Sequence, residues 1–253
     1  MRALMAFTKK EWLESIAHYR LLIVLGLFFA LGIMNVFIAK FTPQLISQLV
    51  SEEVAKGFPE PTVMDVWLQF FKNTTQMGLV VTIILFSGIL TQEYQKETLT
   101  ILLTKGLSRW KVIIGKLIAS CLLFTLGYWL SVGVTYLYAW LYFEQGSVLN
   151  IWFALFMLWL FGLFFLMVSL LGGILFRQNY GVLLFTSSLF GGLLAINLLP
   201  DAQKYNPIRL INNSALLAGT VNVTDFYPAI GVTVVIGVIM LSVGILRFNK
   251  KAL

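Results

Sequence analysis

Apolar runs separated by short polar connections dominate the chain, and six of them, at 21–39, 73–90, 117–137, 151–172, 180–199 and 229–246, approach the length of a membrane span. A helix needs about 20 apolar residues to cross a hydrocarbon layer of ~30 Å. In lipid its backbone N–H and C=O groups must be satisfied within the segment, which favours helix over any open strand. The pattern therefore predicts an all-α integral membrane protein with six transmembrane helices, as a single transmembrane domain over 1–253. Residues 1–19 read differently: Met5, Trp12, Ile16 and Tyr19 fall on one stripe while Lys9, Lys10, Glu14 and His18 lie elsewhere. That is an amphipathic helix resting in the membrane interface, with Trp12 as its anchor.

The connections are unequal. Residues 40–72 hold Pro43, Pro59 and Pro61 and end in DVWLQFF, so Trp67, Phe70 and Phe71 are expected along the outer surface. The turn at Arg177, Gln178 and Asn179 is so short that the fourth and fifth spans should be adjacent and antiparallel. Between the second and third spans runs TQEYQKETLTILLTKGLSRWKVIIGK, residues 91–116, which is neither a simple turn nor a domain. Helix formers extend from Tyr94 to Leu103, Gly106 is a stop, and Ser108 is placed to cap the next helix. Leu99, Leu102 and Leu103 share a face too small to span a bilayer but large enough to sit on a protein or lipid surface. Residues 91–111 are therefore expected to form a cytoplasmic docking, or coupling, region.

Composition agrees: 59% of residues are hydrophobic and 11% charged, with a mean hydropathy of +0.88, whereas soluble domains carry about a quarter charged residues. The net charge of +7 does not indicate nucleic acid, because the cations are scattered over short loops rather than gathered on one face. Topology accounts for them. With the N-terminus inside, thirteen of the Lys and Arg residues (2, 9, 10, 20, 96, 105, 109, 111, 116, 177, 247, 250 and 251) fall on the cytoplasmic side, and only Lys40, Lys56, Lys72, Lys204 and Arg209 fall outside. Both termini are thus expected in the cytoplasm, as an even number of spans requires, in a multi-pass protein of the cell membrane. The first apolar run is too long for a signal-peptide core, so no cleaved leader is expected. A lone Cys121 within a span offers no disulfide framework.

Chemistry is sparse. No charged residue falls in the middle of a span, which weighs against an ion-coupled carrier. The only histidine, His18, lies in the interfacial helix, no H-E-x-x-H occurs, and Gly115-Lys116 is followed by Leu117 without the upstream glycine of a phosphate-binding loop. No catalytic residue, metal site or cofactor is therefore expected in this chain. Polar residues gather instead in the second span (Thr74, Thr75, Gln76, Thr82, Ser87) and the fifth (Thr186, Ser187, Ser188, Asn197). Hydroxyls and small residues also mark helix contacts in lipid. Either they pack helices, or Thr75, Gln76, Thr82, Thr186 and Asn197 line a weakly polar route for a lipid, drug or amphipathic peptide. Sequons at Asn73, Asn212 and Asn222 fall on the expected outer side.

This order of elements resembles the ABC-2 type permease subunits of ATP-binding cassette exporters, over the whole chain. The motif similarity lies in Glu93, Thr98-Leu99, Leu102-Leu103, Ser108-Arg109 and Gly115-Lys116, and in the Asn-Pro element at Asn206 to Leu210. Glu97 stands where the family often has Gly, and Gly106 where Pro is common. The resemblance implies a permease that pairs with itself or a sister subunit and with two nucleotide-binding subunits, which hold the ATP and Mg and dock on Glu93, Thr98, Leu99, Leu102, Leu103, Lys105, Ser108 and Arg109. An ATP-independent carrier or channel, or a structural or sensory membrane protein, is the alternative.

Overall fold

The computed structural model describes residues 2–49, 60–95, 99, 103–104, 106–144, 146 and 148–250, and every regular element among them is helical. Helix α1 (Arg2–Ala17) turns through Tyr19, at φ 58°, into α2 (Arg20–Leu49). Helix α3 (Val63–Gln95) contains a π-helical turn at Thr74–Gly78. Helices α4 (Arg109–Tyr142), α5 (Ile151–Leu175), α6 (Asn179–Ile196) and α7 (Tyr227–Lys250) follow. All six helices from α2 to α7 are long and apolar enough to cross a membrane.

Helix α5 is the hub, packing against α3, α4, α6 and α7, while α2 runs along α4. Its apolar window is 67% buried within the protein, against 11% for α6, which therefore leaves most of its surface to lipid or a neighbouring chain. Lipid tails are as apolar as leucine, so shape rather than water exclusion holds such helices together. The rings of Phe28, Phe70, Phe124, Tyr128, Phe161 and Phe165 supply that shape. Gly162 lets the Phe124 ring in against α5, where a Cβ would stand 2.2 Å from Phe124 Cζ. The Tyr128 hydroxyl finds its partner across the same contact, donating to the Leu155 carbonyl at 2.8 Å.

The second span is longer than the apolar pattern indicates. Asp65 accepts from the Thr62 N–H at 2.8 Å and starts α3 at Val63, ten residues before the expected boundary at 73. Trp67, Phe70 and Phe71, expected along the outer surface, are instead buried in the core against α2 and α4. Asn73 is no boundary either, because its amide donates to Asn35 Oδ1 of α2 at 2.8 Å, and the pair conceals two polar groups from the lipid. The adjacency of the fourth and fifth spans holds in the packing of α5 on α6.

At the end opposite α1, residues 197–226 fold over the bundle as short turns. Asn206 organises them: its Oδ1 accepts from the Ile208 N–H at 3.0 Å and its amide donates to the Leu193 carbonyl at 2.7 Å. Pro207, Ile208, Leu210, Leu216 and Leu217 are buried beneath them.

Candidate functional site

Two features emerge from the packing: a buried ionic cluster at the end of the bundle where α1 lies, and an apolar cleft between α3, α5 and α6. The cluster is centred on Lys116. Helix α4 begins at Arg109, so Lys116 sits two turns, about 10 Å, inside it. It is 2% exposed and donates to Glu93 Oε1 of α3 at 2.9 Å and to Glu11 Oε2 of α1 at 2.9 Å. Lys10 closes the group from the rim, 3.1 Å from Glu11, 3.6 Å from Glu93 and ion-paired to Glu14. Alongside, Arg20 donates to Gln92. The expectation that Lys116 faces water is thus corrected: its charge lies inside α4, two turns from the start and short of mid-span, and two carboxylates from other helices make its burial tolerable.

Electrostatics at the rim follow from the same geometry. Burial opposes the charge on Lys10, but the Glu14 hydrogen bond and the Glu11 and Glu93 carboxylates outweigh it and raise its pKa above the ordinary value. Burial likewise favours neutral Glu14, yet Lys10 and Lys116 overcome this and lower its pKa. Oxygens of Glu11, Glu14 and Glu93 lie within 4.8 Å of one another, a spacing that suits a metal ion, but here two ammonium groups stand among them.

Of the residues expected to dock a partner, Thr98, Leu102 and Lys105 lie outside the described residues. Glu93 turns inward to Lys116. Leu99 is 1% exposed and packs into this chain's own core with Phe7, Leu90, Val112, Ile113 and Phe248. Leu103 and Leu107 pack half-buried on the same cluster. Gly106, at φ 85°, makes the expected stop, its N–H donating to the Leu103 carbonyl at 3.0 Å. Ser108 is the N-cap of α4 by position, but its hydroxyl caps nothing. Arg109 reaches back to the far end of the chain and donates to the Phe248 carbonyl at 3.0 Å. The corner between α3 and α4 is consequently anchored on α1 and α7.

The cleft holds about 300 Å³ and is lined by Leu79, Val80, Ile83, Ile84, Phe161, Phe165, Leu183 and Phe190, with Thr75, Thr186 and Ser187 as its polar points. Thr75 comes from the π-helical turn, and its buried hydroxyl has no hydrogen-bond partner among the described residues. Thr186 is satisfied by the Val182 carbonyl at 2.8 Å. The structure thus brings Thr75 and Thr186 of the expected route together and leaves out the other three. Thr82 is buried and donates to the Gly78 carbonyl at 2.6 Å. Gln76 faces a separate surface groove with Lys72 and Asn212. Asn197 ends α6, its carbonyl accepting from Gln203 at 2.9 Å.

Sequence reasoning missed Lys10, Glu11 and Glu14 because it ranked faces of α1 by apolarity. The buried face of α1 is Phe7, Glu11 and Ser15, whereas Met5, Ile16 and Tyr19 are exposed. A signal was present in the i,i+4 pair Lys10 and Glu14, read only as a polar flank.

With this geometry in view, comparison with known proteins gives one result of weight. No curated protein matches the chain, but a family model described as ABC-2 family transporter protein matches residues 5–253. That match covers α1 from residue 5 onward, all six spans and both features described above. The chain therefore belongs to the ABC-2 transporter family, as a multi-pass membrane permease, the transport component that associates with an ATP-binding cassette subunit.

Proposed function

We propose that this permease is the transmembrane half of an ATP-driven exporter, moving a hydrophobic or amphipathic substrate (a peptide antibiotic, a drug or a lipid) out of the cytoplasm. Two copies of a nucleotide-binding subunit hold ATP and Mg, and a second permease, identical or related, completes the complex. Both termini and the 91–111 corner face the cytoplasm in a cell membrane. The observation that carries the reading is the family match over nearly the whole chain. The anchored corner supports the coupling: a push on 91–111 reaches α1 and α4 through Glu93 and Lys116, and α7 through Arg109. Nucleotide closure would then bias an equilibrium between two packings of the bundle.

In this reading Leu102, Leu103, Lys105 and Ser108 meet the ATPase, while Glu93, Leu99 and Arg109 hold the corner that presents them. The cleft favours the substrate class. Its walls are aliphatic and aromatic, its polar points are hydroxyls, and no ionisable side chain among the described residues lines it. Such a lining suits an apolar body with a hydrogen-bonding group rather than a small ion. The test is co-expression with adjacent reading frames, purification of the complex, and a screen for compounds that stimulate ATP hydrolysis. A co-purifying ATPase stimulated by an amphipathic compound, with stimulation lost when Val80→Trp fills the cleft, is the expected result. Recovery of the permease with no ATPase would overturn the reading.

A further inference from the structure

At the end of the bundle that carries α1, the last turns of α5 and α7 flank a cleft of about 520 Å³. Its walls are Ile174, Leu175, Val243 and Leu246, and its rim carries Arg247 and Lys250. Beside the cleft, Gly244 brings α7 against α5, where a Cβ would stand 2.9 Å from Ile174 Cδ1. Leu175, Val243 and Leu246 remain exposed.

Arg247 and Lys250 have no carboxylate partner among the described residues. Lys10 and Lys116 are neutralised by Glu11, Glu14 and Glu93, which uses every described carboxylate there. A cation in the last turn of a helix can answer the helix dipole, but Arg109 already serves α7 in that way, donating to the carbonyls of Phe248 at 3.0 Å and Asn249 at 3.4 Å. No described side chain pairs with Arg247 or Lys250. An apolar partner helix seated here would bury two unpaired charges, an unfavourable exchange. An anionic phospholipid meets both demands at once.

We infer that this cleft binds an anionic phospholipid, with an acyl chain along Ile174, Leu175, Val243 and Leu246 and the phosphodiester on Arg247 and Lys250. Guanidinium and ammonium groups both suit phosphate oxygens, and paired cations beside a membrane helix attract anionic over zwitterionic headgroups. The inference is independent of whether the chain pairs with an ATPase or exports anything.

The full-length chain is reconstituted into phosphatidylcholine vesicles carrying a diazirine-acyl phosphatidylglycerol, or the matching diazirine-acyl phosphatidylcholine, and illuminated. Peptide mass spectrometry then reads adducts at 174–175 and 243–250. The expected result is a roughly thirtyfold excess of phosphatidylglycerol adducts, as two surface cations would give. The Arg247→Gln, Lys250→Gln double variant should reduce that excess to near parity. Val243→Trp, which fills the apolar part and leaves the cations in place, should remove adducts of both lipids. Equal labelling by the two lipids, an excess that survives the double variant, or an absence of adducts with a protein–protein cross-link at Leu246→Cys in their place would each overturn the inference.

Discussion

Lys116 Nζ and Glu93 Oε1 lie 2.9 Å apart, joining the second and third spans across a corner of 22 intervening residues, with both side chains almost wholly excluded from solvent. Glu11 of α1 completes the contact at 2.9 Å. A buried charge of this kind stabilises a fold only while its partners remain, since removing one member strands the others without solvation. Lys116→Met leaves the buried Glu11 and Glu93 with only the half-exposed Lys10 as counter-charge and should lower stability by about 3–5 kcal/mol. Neutralising all three, with Glu11→Gln and Glu93→Gln added, should recover most of that loss. Thermal unfolding of the purified chain in detergent checks both outcomes.

The rim pair makes a separate statement about pH. Glu14 has a folded pKa below 4.5, so its contribution is complete above 4.5 and disappears as pH falls through the lower folded value. Lys10 has a folded pKa above 10.5, so its contribution is complete below 10.5 and disappears as pH rises through the folded value. The difference in unfolding midpoint between the natural protein and Lys10→Met should hence be flat from about pH 5 to 10 and shrink at both extremes. A difference that changes across neutral pH would contradict the pairing.

Leu99 gives a third test. Its side chain fills the core shared by α1, α3, α4, α5 and α7, so Leu99→Ala should destabilise the permease alone by about 2–5 kcal/mol, before any partner is added. Leu103 is only half-buried, and Leu103→Ala should affect the isolated permease less and recovery of the ATPase more. An unchanged unfolding midpoint for Leu99→Ala would remove the buried assignment.

The difference between these two leucines marks how far the sequence could be read. Run length sufficed for six spans and their order, because backbone satisfaction in lipid leaves helix as the economical solution. Gly106 was legible for a local reason, a stop that favours the left-handed conformation. Which face of Leu99, Leu102 and Leu103 turns inward was not, because periodicity reports a shared face and not its occupant. The start of α3 was obscured by Lys72 and Asn73, polar residues that tertiary partners or the rim of the bundle accommodate. Thr75 and Thr186 were found by polarity within apolar runs. Thr82 and Asn197 carry the same signal, but Thr82 is buried away from the cleft and Asn197 sits at the end of α6, placements that composition cannot reveal.

Close packing predicts opposite outcomes for two glycines. At Gly162 an added methyl would meet the Phe124 ring, wedged between α2 and α5, so Gly162→Ala should lower stability by about 1–3 kcal/mol. At Gly133 of α4 nothing lies within 4 Å of the new methyl. Gly133→Ala should then follow helix propensity alone and stabilise by up to about 1 kcal/mol. Unfolding midpoints of the two variants measured side by side separate these effects.

Glycosylation tests the proposed orientation through three sequons that differ in setting. Asn212 and Asn222 are exposed on the turns between α6 and α7, at the end of the bundle proposed to face outward. Asn73 likewise heads an Asn-x-Ser/Thr sequon but lies inside α3, buried and hydrogen-bonded to Asn35. Expressed in a glycosylating host, the chain should gain glycans at Asn212 and Asn222 and none at Asn73, read as mass shifts that Asn212→Gln and Asn222→Gln abolish one at a time. The helix places Asn73 two to three turns beyond its start at Val63, within the membrane-embedded body, so the transferase meets no exposed acceptor there. A glycan at Asn73 would require α3 to begin after it, as the apolar pattern alone suggested. Modification at an introduced Asn-x-Thr in the 91–111 corner, with none at 212 or 222, would reverse the orientation and place the docking corner outside.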